Sequence, residues 1–352
     1  MSPSAATGAV DVLIVSLGST TGLRAADEEL AASLRRAGAS VALAGAARPG
    51  ARRTLMLTDL AWARAARAAA TEALQACAPR SIVYSTTTAA LLWPVPGAIR
   101  FDAPAAGNRP GRHGLWQRPA ERRRLERAPL LLPLSAGGLA ETGLGPDSAA
   151  RTLIVPLPVE PSGDPAARDL AAITYAGNPV KKGLDRVLAA WRQARPAAEE
   201  GAELIVAGAS PEELRGAGID LAAEPGVRDV GRLAAPEYRA LLRRARVFVT
   251  APRREDYGQA QLEALADGCL LATTPAPGPY AALPIARRLE AGLVEEDLAA
   301  ALSRALAHPD RQGYAARALA ELAPLRTAAL DALVAQQLLP RLLRGARPAL
   351  AA

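Results

Sequence analysis

Apolar positions along this chain follow two alternating rhythms. Residues 11–17 (DVLIVSL) are an unbroken apolar run that stops at Gly18. A short run bounded by a loop residue predicts a strand buried on both faces. Residues 24–37 carry apolar side chains at helical spacing (Ala26, Leu30, Ala31, Leu34), and Gly38 ends that helix. SVALAG at 40–45 is the next strand. Strand, glycine-containing loop, helix, glycine and strand together open a doubly wound parallel sheet. Further strands are predicted at 54–60 (TLMLTDL), 81–87 (SIVYSTT), 98–103 (AIRFDA), 130–135 (LLLPLS) and 153–159 (LIVPLPV). A long Ala-rich helix is predicted over 61–76, and residues 103–119, rich in Pro, Gly, Asn and Arg, read as a loop.

EPSGDPAAR at 160–168 interrupts the alternation, and its composition predicts a linker. The alternation then restarts. Strands are expected at 172–177, 203–208, 227–231, 246–252 and 269–274, with helices near 183–194, 236–245 and 258–267. One or two helices follow over 314–345. The chain thus divides into a first α/β domain (1–165), a second (169–325) and a helical tail (326–352) that can pack back on the first. A length of 352 residues agrees with two domains at roughly 100–200 residues each.

Composition narrows the possibilities. Half of the residues are hydrophobic but only 3% are aromatic, so the cores must be built from Ala, Leu and Val. The net charge of +7 suits an anionic partner such as a nucleotide, a lipid phosphate or a membrane surface. Acidic residues are interspersed with the basic ones, and no basic stripe carries interleaved aromatics, so nucleic acid is not expected as a partner. Two cysteines, Cys77 and Cys269, make neither a disulfide framework nor a metal site, and both are expected in the core. With two histidines, His113 and His308, no metal is expected. No apolar run approaches ~18 residues, and the first ten residues do not resemble a signal peptide. A cytoplasmic setting is the expectation, with peripheral contact at the inner face of the membrane left open. The most basic stretch, 108–127, contains Arg122, Arg123 and Arg124 in succession; it reads as a solvated helix with Glu121 and Glu126 as partners.

Candidate chemistry concentrates at 246–274. A strand ends at Thr250, a charged loop follows, a helix begins near Gly258, and Gly268 closes it before the next strand. Glu255 and Glu263 stand eight residues apart, one on the loop and one on the helix. Both lie toward the carboxyl edge of the sheet, where open α/β sheets bind ligands. Carboxylates suit sugar and ribose hydroxyls, and the backbone N–H groups around Gly258, Gln259 and Ala260 suit an anion. An ordinary helix start with complementary acidic residues would look much the same.

This segment resembles the signature of the retaining GT-B glycosyltransferases of group 1, or family 4. Their acid-Gly-aromatic-Gly turn is matched by Glu255-Asp256-Tyr257-Gly258, with Asp256 where Gly is usual. Their Leu-Glu-Ala-plus-Gly helix is matched by Leu262 to Gly268. A second resemblance lies in ITYAGNPVKKGLDRVL (173–188), similar to the family's strand-Gly-Arg-x-x-x-Lys-Gly run; Gly177 closes the strand and Lys182 takes the lysine position. Asn178 replaces the arginine, and Lys181 is a neighbouring candidate for its charge. The turn Gly231-Arg232 lies where the family meets the nucleobase, and Gly22 lies in the acceptor-side loop after the first strand. Asp102, after AIRF, corresponds to a His or Asp that touches the donor sugar in some members.

The resemblance implies two Rossmann-like domains facing across a cleft, and a hexosyltransferase-type enzyme with retention and no metal or other cofactor. Glu255 would orient the donor sugar, Glu263 would hold the ribose, and Lys182 with the helix start would hold the diphosphate. The donor is then a nucleotide-diphosphate sugar, and the acceptor is a glycan, lipid or small molecule. Replacing Glu255 by Ala is expected to abolish transfer with little change in thermal stability. A non-catalytic partner of the same fold is a competing reading, motivated by Asn178. A sugar-nucleotide epimerase or an inverting enzyme is another, and its only candidate histidine base in the first half is His113.

Overall fold

The computed structural model describes residues 8–50, 52–195 and 199–344. It resolves into two compact units, one running to Leu157 and resuming at Thr327, the other spanning Pro158–Arg326. Each is built on a five-stranded parallel sheet.

In the first unit the strands are β1 (Gly8–Ser16), β2 (Val41–Gly45), β3 (Cys77–Tyr84), β4 (Ala98–Phe101) and β5 (Leu131–Pro133), in the order β2-β1-β3-β4-β5. Successive side chains of β1 point to opposite faces, which separates its apolar run into two cores. Val12 and Ile14 pack with Leu30 and Leu34 of helix Thr21–Arg36 and with Leu330, Val334, Leu338 and Leu342 of the C-terminal helices. Leu13 and Val15 pack with Ala66 and Ala70 of helix Leu55–Ala76 and with Leu125 of helix Gln117–Arg127. The tail is pinned as well as packed: Asp331 accepts hydrogen bonds from Ser33 and Arg36.

Several expected elements take another form. The strand predicted at 54–60 is the first turns of helix Leu55–Ala76. Thr54 caps it by accepting the Leu57 N–H, and Leu55 and Leu57 stay exposed, so this apolar run is helix surface, not a sheet face. The loop predicted at 103–119 contains short helical turns at Ala105–Asn108 and Gly111–Gly114 and the start of helix Gln117–Arg127. Residues 153–159 form no named strand; Leu153 and Val155 donate to β5, but Pro156 and Pro158 have no N–H with which to continue. Cys269 is buried as expected, whereas Cys77 is only partly so.

In the second unit the strands are β6 (Leu170–Tyr175), β7 (Leu204–Ala207), β8 (Val227–Gly231), β9 (Ala245–Thr250) and β10 (Leu270–Thr273), in the order β10-β9-β6-β7-β8. Helices Leu184–Ala194 and Leu298–Leu306 pack together, while Gln259–Ala266 packs with Ala235–Arg244 and Arg311–Glu321. Residues 160–168, the expected linker, are anchored within this unit. Ser162 donates from N and Oγ to Asp267, and Arg168 donates to the carbonyls of Ala245 and Asp267.

The order of the second sheet locates its binding edge. From β6 the chain moves outward through β7 and β8, then returns to the other side of β6 with β9. The topological switch point therefore lies between β6 and β9, and open α/β sheets bind their ligands at the carboxyl edge of such a point. The segments leaving those two strands are 176–183 and 251–258.

Candidate donor site in the second unit

The segment after β6 turns sharply. Asn178 has φ 67°, the only positive φ outside glycine among the described residues, and Gly183 has φ 66°. The Asn178 side chain accepts the Lys181 N–H at 3.0 Å, capping the turn Pro179–Lys182. Asn tolerates this left-handed geometry better than most residues. At Gly183 no side chain fits, because a Cβ would lie 1.9 Å from the Ala251 carbonyl oxygen. The two segments are in contact there, and Arg253 donates its N–H to the Lys181 carbonyl at 2.9 Å.

This turn points both lysines at the acidic loop. The Lys182 Nζ donates to Glu255 Oε2 at 2.6 Å, and Gln261 Nε2 donates to the same oxygen at 3.0 Å. Glu255 is buried, at 4% exposure, and its backbone is held by Pro277 and Tyr280. Lys181 donates to Asp256 Oδ2 at 2.5 Å, and Arg254 donates to Asp256 Oδ1 at 3.0 Å. Burial works to raise the Asp256 carboxyl, but Lys181 and then Arg254 outweigh it and hold the group below its ordinary value. Arg253 closes the series with a bidentate pair to Asp185, both contacts at 2.8 Å.

Helix Gln259–Ala266 starts at Gly258, whose φ of 92° reverses the chain. Its first backbone hydrogen bond runs from Leu262 N to Gly258 O, so the N–H groups of Gln259 and Ala260 precede the ladder. Gln259 Nε2 donates to Glu263 Oε1 at 3.2 Å, one turn along. Burial pushes the Glu263 carboxyl up, opposed by the Arg239 charge and the Gln259 hydrogen bond. Arg232 is exposed after β8 and donates to Glu213 at 2.5 Å. Gly177 lies two residues beyond the end of β6.

The structure thus places Lys182, Lys181, Asn178 and Gly177 on the first of the segments that leave the switch point, Glu255 and Gly258 on the second, and Gln259, Ala260 and Glu263 on the helix that follows it. Gln261, which fixes Glu255, escapes sequence reasoning because its burial follows from the helix orientation. Two surface depressions of this unit lie elsewhere, one at the amino edge beside Asp169 and Arg246 and one beside Pro211 and Ile219.

The remaining candidates lie in the first unit. Gly22 is exposed in the first turn of helix Thr21–Arg36, where Thr20 caps by accepting the Leu23 N–H. Asp102 is half-buried after β4 and accepts the Ala103 N–H at 2.7 Å. His113 is exposed. Glu121 is not the solvated partner of the arginines: it is 5% exposed and accepts the Ala105 N–H at 2.6 Å. Burial pushes its carboxyl up to about 7, against hydrogen bonds from Thr87 and Ala105. Arg122 pairs with Glu126, as the spacing suggests, while Arg124 covers the Trp93 ring. A buried polar group made of Ser16, Asp27 and Arg100 also lies in this unit, with Ser16 Oγ donating to Asp27 at 2.6 Å.

Among the described residues no cluster of three or more His, Cys, Asp or Glu could hold a metal ion, and no helix is long and apolar enough to cross a membrane.

Comparison with known proteins bears on the same region. The model of the family described as Glycosyl transferases group 1 matches residues 171–308, which contain both segments of the switch point. No curated protein matches the chain. Among solved structures, WaaG, a glycosyltransferase involved in lipopolysaccharide biosynthesis, is similar with a TM-score of 0.66 at 17% identity, over 92% of this chain and 99% of its own. Sucrose-phosphate synthase from Thermosynechococcus elongatus gives 0.66 at 16% identity, over 96% and 99%. HepE of Anabaena, solved in complex with UDP and glucose, gives 0.65 at 13% identity, over 94% and 99%. The two five-stranded parallel sheets and their agreement with these structures identify the fold of this chain as GT-B.

Proposed function

We propose that this protein is a glycosyltransferase that moves a sugar from a nucleotide-diphosphate donor to an acceptor hydroxyl with retention of configuration. The observation that carries this reading is the Lys182–Glu255–Gln261 cluster at the switch point of the second sheet, inside the segment that matches group 1 glycosyltransferases. It puts a cation and an oriented carboxylate at one edge, as a donor with a charged diphosphate and a neutral sugar requires.

In this reading Glu263 accepts hydrogen bonds from the ribose. Lys182 and the N–H groups of Gln259 and Ala260 hold the diphosphate. Glu255, fixed by Gln261, accepts hydrogen bonds from the sugar. The bond between the anomeric carbon and the diphosphate oxygen breaks, and a bond to the acceptor oxygen forms on the same face. Lys182 neutralises charge growing on the leaving group. The acceptor proton passes to the departing phosphate oxygen, so no protein base is needed and no metal is invoked. Lys181 supports the diphosphate, Arg232 meets the nucleobase, and Gly22 and Asp102 serve the acceptor side. The acceptor is a glycan, a lipid or a small molecule, and a lipid would bring the enzyme to a membrane surface.

The test is a thermal-shift panel of nucleotide sugars and free nucleotides, with and without magnesium, followed by transfer assays with the donor that binds. Ligands of the folded state raise the melting temperature by mass action. An upward shift from one nucleotide family and a product of retained anomeric configuration are expected. No shift from any nucleotide overturns the donor site, and an inverted product overturns retention.

A further inference from the structure

Two tyrosines beside the donor residues have no part in the scheme above. Tyr175 ends β6, and its ring lies against the two glycines that follow β6 and β7. A Cβ at Gly177 would come within 2.7 Å of the Tyr175 hydroxyl, and one at Gly208 within 2.5 Å of its ring. Gly208 has φ 96° and needs glycine for its backbone alone, but Gly177 has no positive φ. A side chain at Gly177 would therefore displace the Tyr175 hydroxyl. The other neighbour of the ring is Tyr238 of helix Ala235–Arg244, with centroids 5.4 Å apart and planes tilted by 58°. Tyr238 is buried, and its hydroxyl has no hydrogen-bond partner among the described residues.

The packing around the Tyr175 ring sets the side of the site on which it lies: its neighbour Tyr238 stands on helix Ala235–Arg244, which packs with helix Gln259–Ala266, the helix that carries Glu263. Burial pushes the Tyr175 phenol up, and the groups acting on it next are Arg232, Glu263 and Glu213. The hydroxyl therefore stays protonated at neutral pH and offers a donor on the Glu263 side of the site. Tyr175 is only partly buried.

We propose that Tyr175 is a donor-recognition residue whose hydroxyl hydrogen-bonds the nucleoside of the donor beside Glu263, with Tyr238 and the two glycines fixing the ring. This rests on the donor reading above and adds to it the element that senses the nucleoside. The bland account, in which Tyr175 only fills space between two strand ends, needs the ring but not the hydroxyl. Tyr175→Phe separates them, because it keeps the ring and removes the donor.

The experiment is calorimetric titration of the wild type, Tyr175→Phe and Lys182→Met with UDP, GDP, ADP and the three corresponding monophosphates, alongside thermal melts of each protein. The nucleotide that binds the wild type is expected to bind Tyr175→Phe about five- to tenfold more weakly, the worth of one neutral hydrogen bond. That loss should be equal for the mono- and diphosphate, with an unchanged melting temperature. Lys182→Met should instead weaken the diphosphate more than the monophosphate. If Tyr175→Phe binds within about twofold of the wild type, this inference is overturned while the donor reading stands. If the wild type binds none of the six nucleotides, the donor reading fails and takes this inference with it.

Discussion

Replacing Glu255 by Ala tests the donor site through stability as well as activity. Taken as a loop residue, Glu255 should be removable without consequence for folding. The structure reverses that expectation. The Glu255 and Lys182 side chains are 5% and 17% exposed, and Gln261 donates to the same carboxylate oxygen. Truncation leaves an ammonium and an amide N–H without their acceptor in a largely dry place. Removing one partner of a buried ion pair costs about 3–5 kcal/mol, and because Lys182 keeps some access to water the lower end, about 3 kcal/mol, applies. In a unit of this size about 3 kcal/mol corresponds to roughly 6–12 °C in melting temperature. Glu255→Gln keeps an oxygen for Lys182 and loses the charge, so about half that loss is expected, charge-assisted bonds being roughly twice as strong as neutral ones. Lys182→Met combined with Glu255→Gln removes both charges and should be more stable than Glu255→Ala alone. Scanning calorimetry reads all three, and transfer measured well below every midpoint should be abolished in each. A Glu255→Ala protein that melts within about 2 °C of the wild type refutes the reasoning about burial. One that still transfers sugar at the wild-type rate refutes the assignment of the site.

Three further outcomes follow from groups outside that pair. Glu121 has its carboxyl raised to about 7, so the folded state holds its proton where the unfolded chain, near 4.5, has released it; this contribution is complete below 4.5 and disappears as the pH rises through 7. Glu121→Gln should therefore match the wild type at pH 4 and exceed it at pH 8 by up to about 3 kcal/mol in urea unfolding, and equal stabilities at pH 8 would contradict the burial of this carboxyl. Gly183→Ala adds a Cβ 1.9 Å from the Ala251 oxygen at a φ of 66°, and should lower stability by about 3 kcal/mol or more in the same assay; a neutral result would mean that the two segments are not in contact. Arg239→Met removes the cation paired with the Asp267 carboxylate, whose side chain is 0% exposed and keeps only the Ser162 donors among the described residues, and should cost about 3 kcal/mol, while Arg239→Met with Asp267→Asn should recover part of it; the absence of recovery would argue against the pairing.

Much of the architecture is legible in the apolar runs. Those of β1, β6, β7, β9 and β10 are short, continuous and ended by glycine or a polar turn, which buried parallel strands require. Where reading by pattern fails, the competing cause is visible. At 54–60 the apolar run Leu55-Met56-Leu57 imitates a strand, but it follows the Thr54 cap and continues through the alanines beyond it as a helix. At 153–159 apolarity predicts a strand and the prolines withhold the donors. Site residues divide in the same way. Glu255 and Lys182 can each be named from local motif, but their bond spans 73 residues and exists only because β9 returns to the side of β6. Tyr175 and Gln261 carry no local signal at all, since what distinguishes them is the company the sheet order gives them. Glu121 sits in an arginine run whose charge suggests solvent, and only the packing of helix Gln117–Arg127 shows that it is buried.

Asn178 shows how a departure from a family pattern can be rebuilt locally. A cation at this position would serve a diphosphate, but the backbone here has φ 67° and ψ 80°, and the residue must also cap the turn that follows. Arginine has no side-chain acceptor for the Lys181 N–H; asparagine has one, and adopts the left-handed region readily. The exchange removes a charge and gains a rigid turn that presents Lys181 and Lys182 at consecutive positions. Both ammonium groups are already matched to carboxylates, Lys181 to Asp256 and Lys182 to Glu255. In the proposed reaction a diphosphate competes with those carboxylates for the lysines, and each carboxylate it displaces keeps a single donor among the described residues, Gln261 for Glu255 and Arg254 for Asp256, and gains from a second. Hydroxyls of the transferred sugar can supply that donor, whereas in a nucleotide diphosphate the remaining hydroxyls belong to the ribose, which this reading places at Glu263. Asp256, in the place of the usual glycine, strengthens this dependence by adding the second carboxylate. The site is on this argument tuned to distinguish the intact donor from its spent nucleotide, and Asp256→Gly should narrow the affinity gap between the two by tightening the nucleotide.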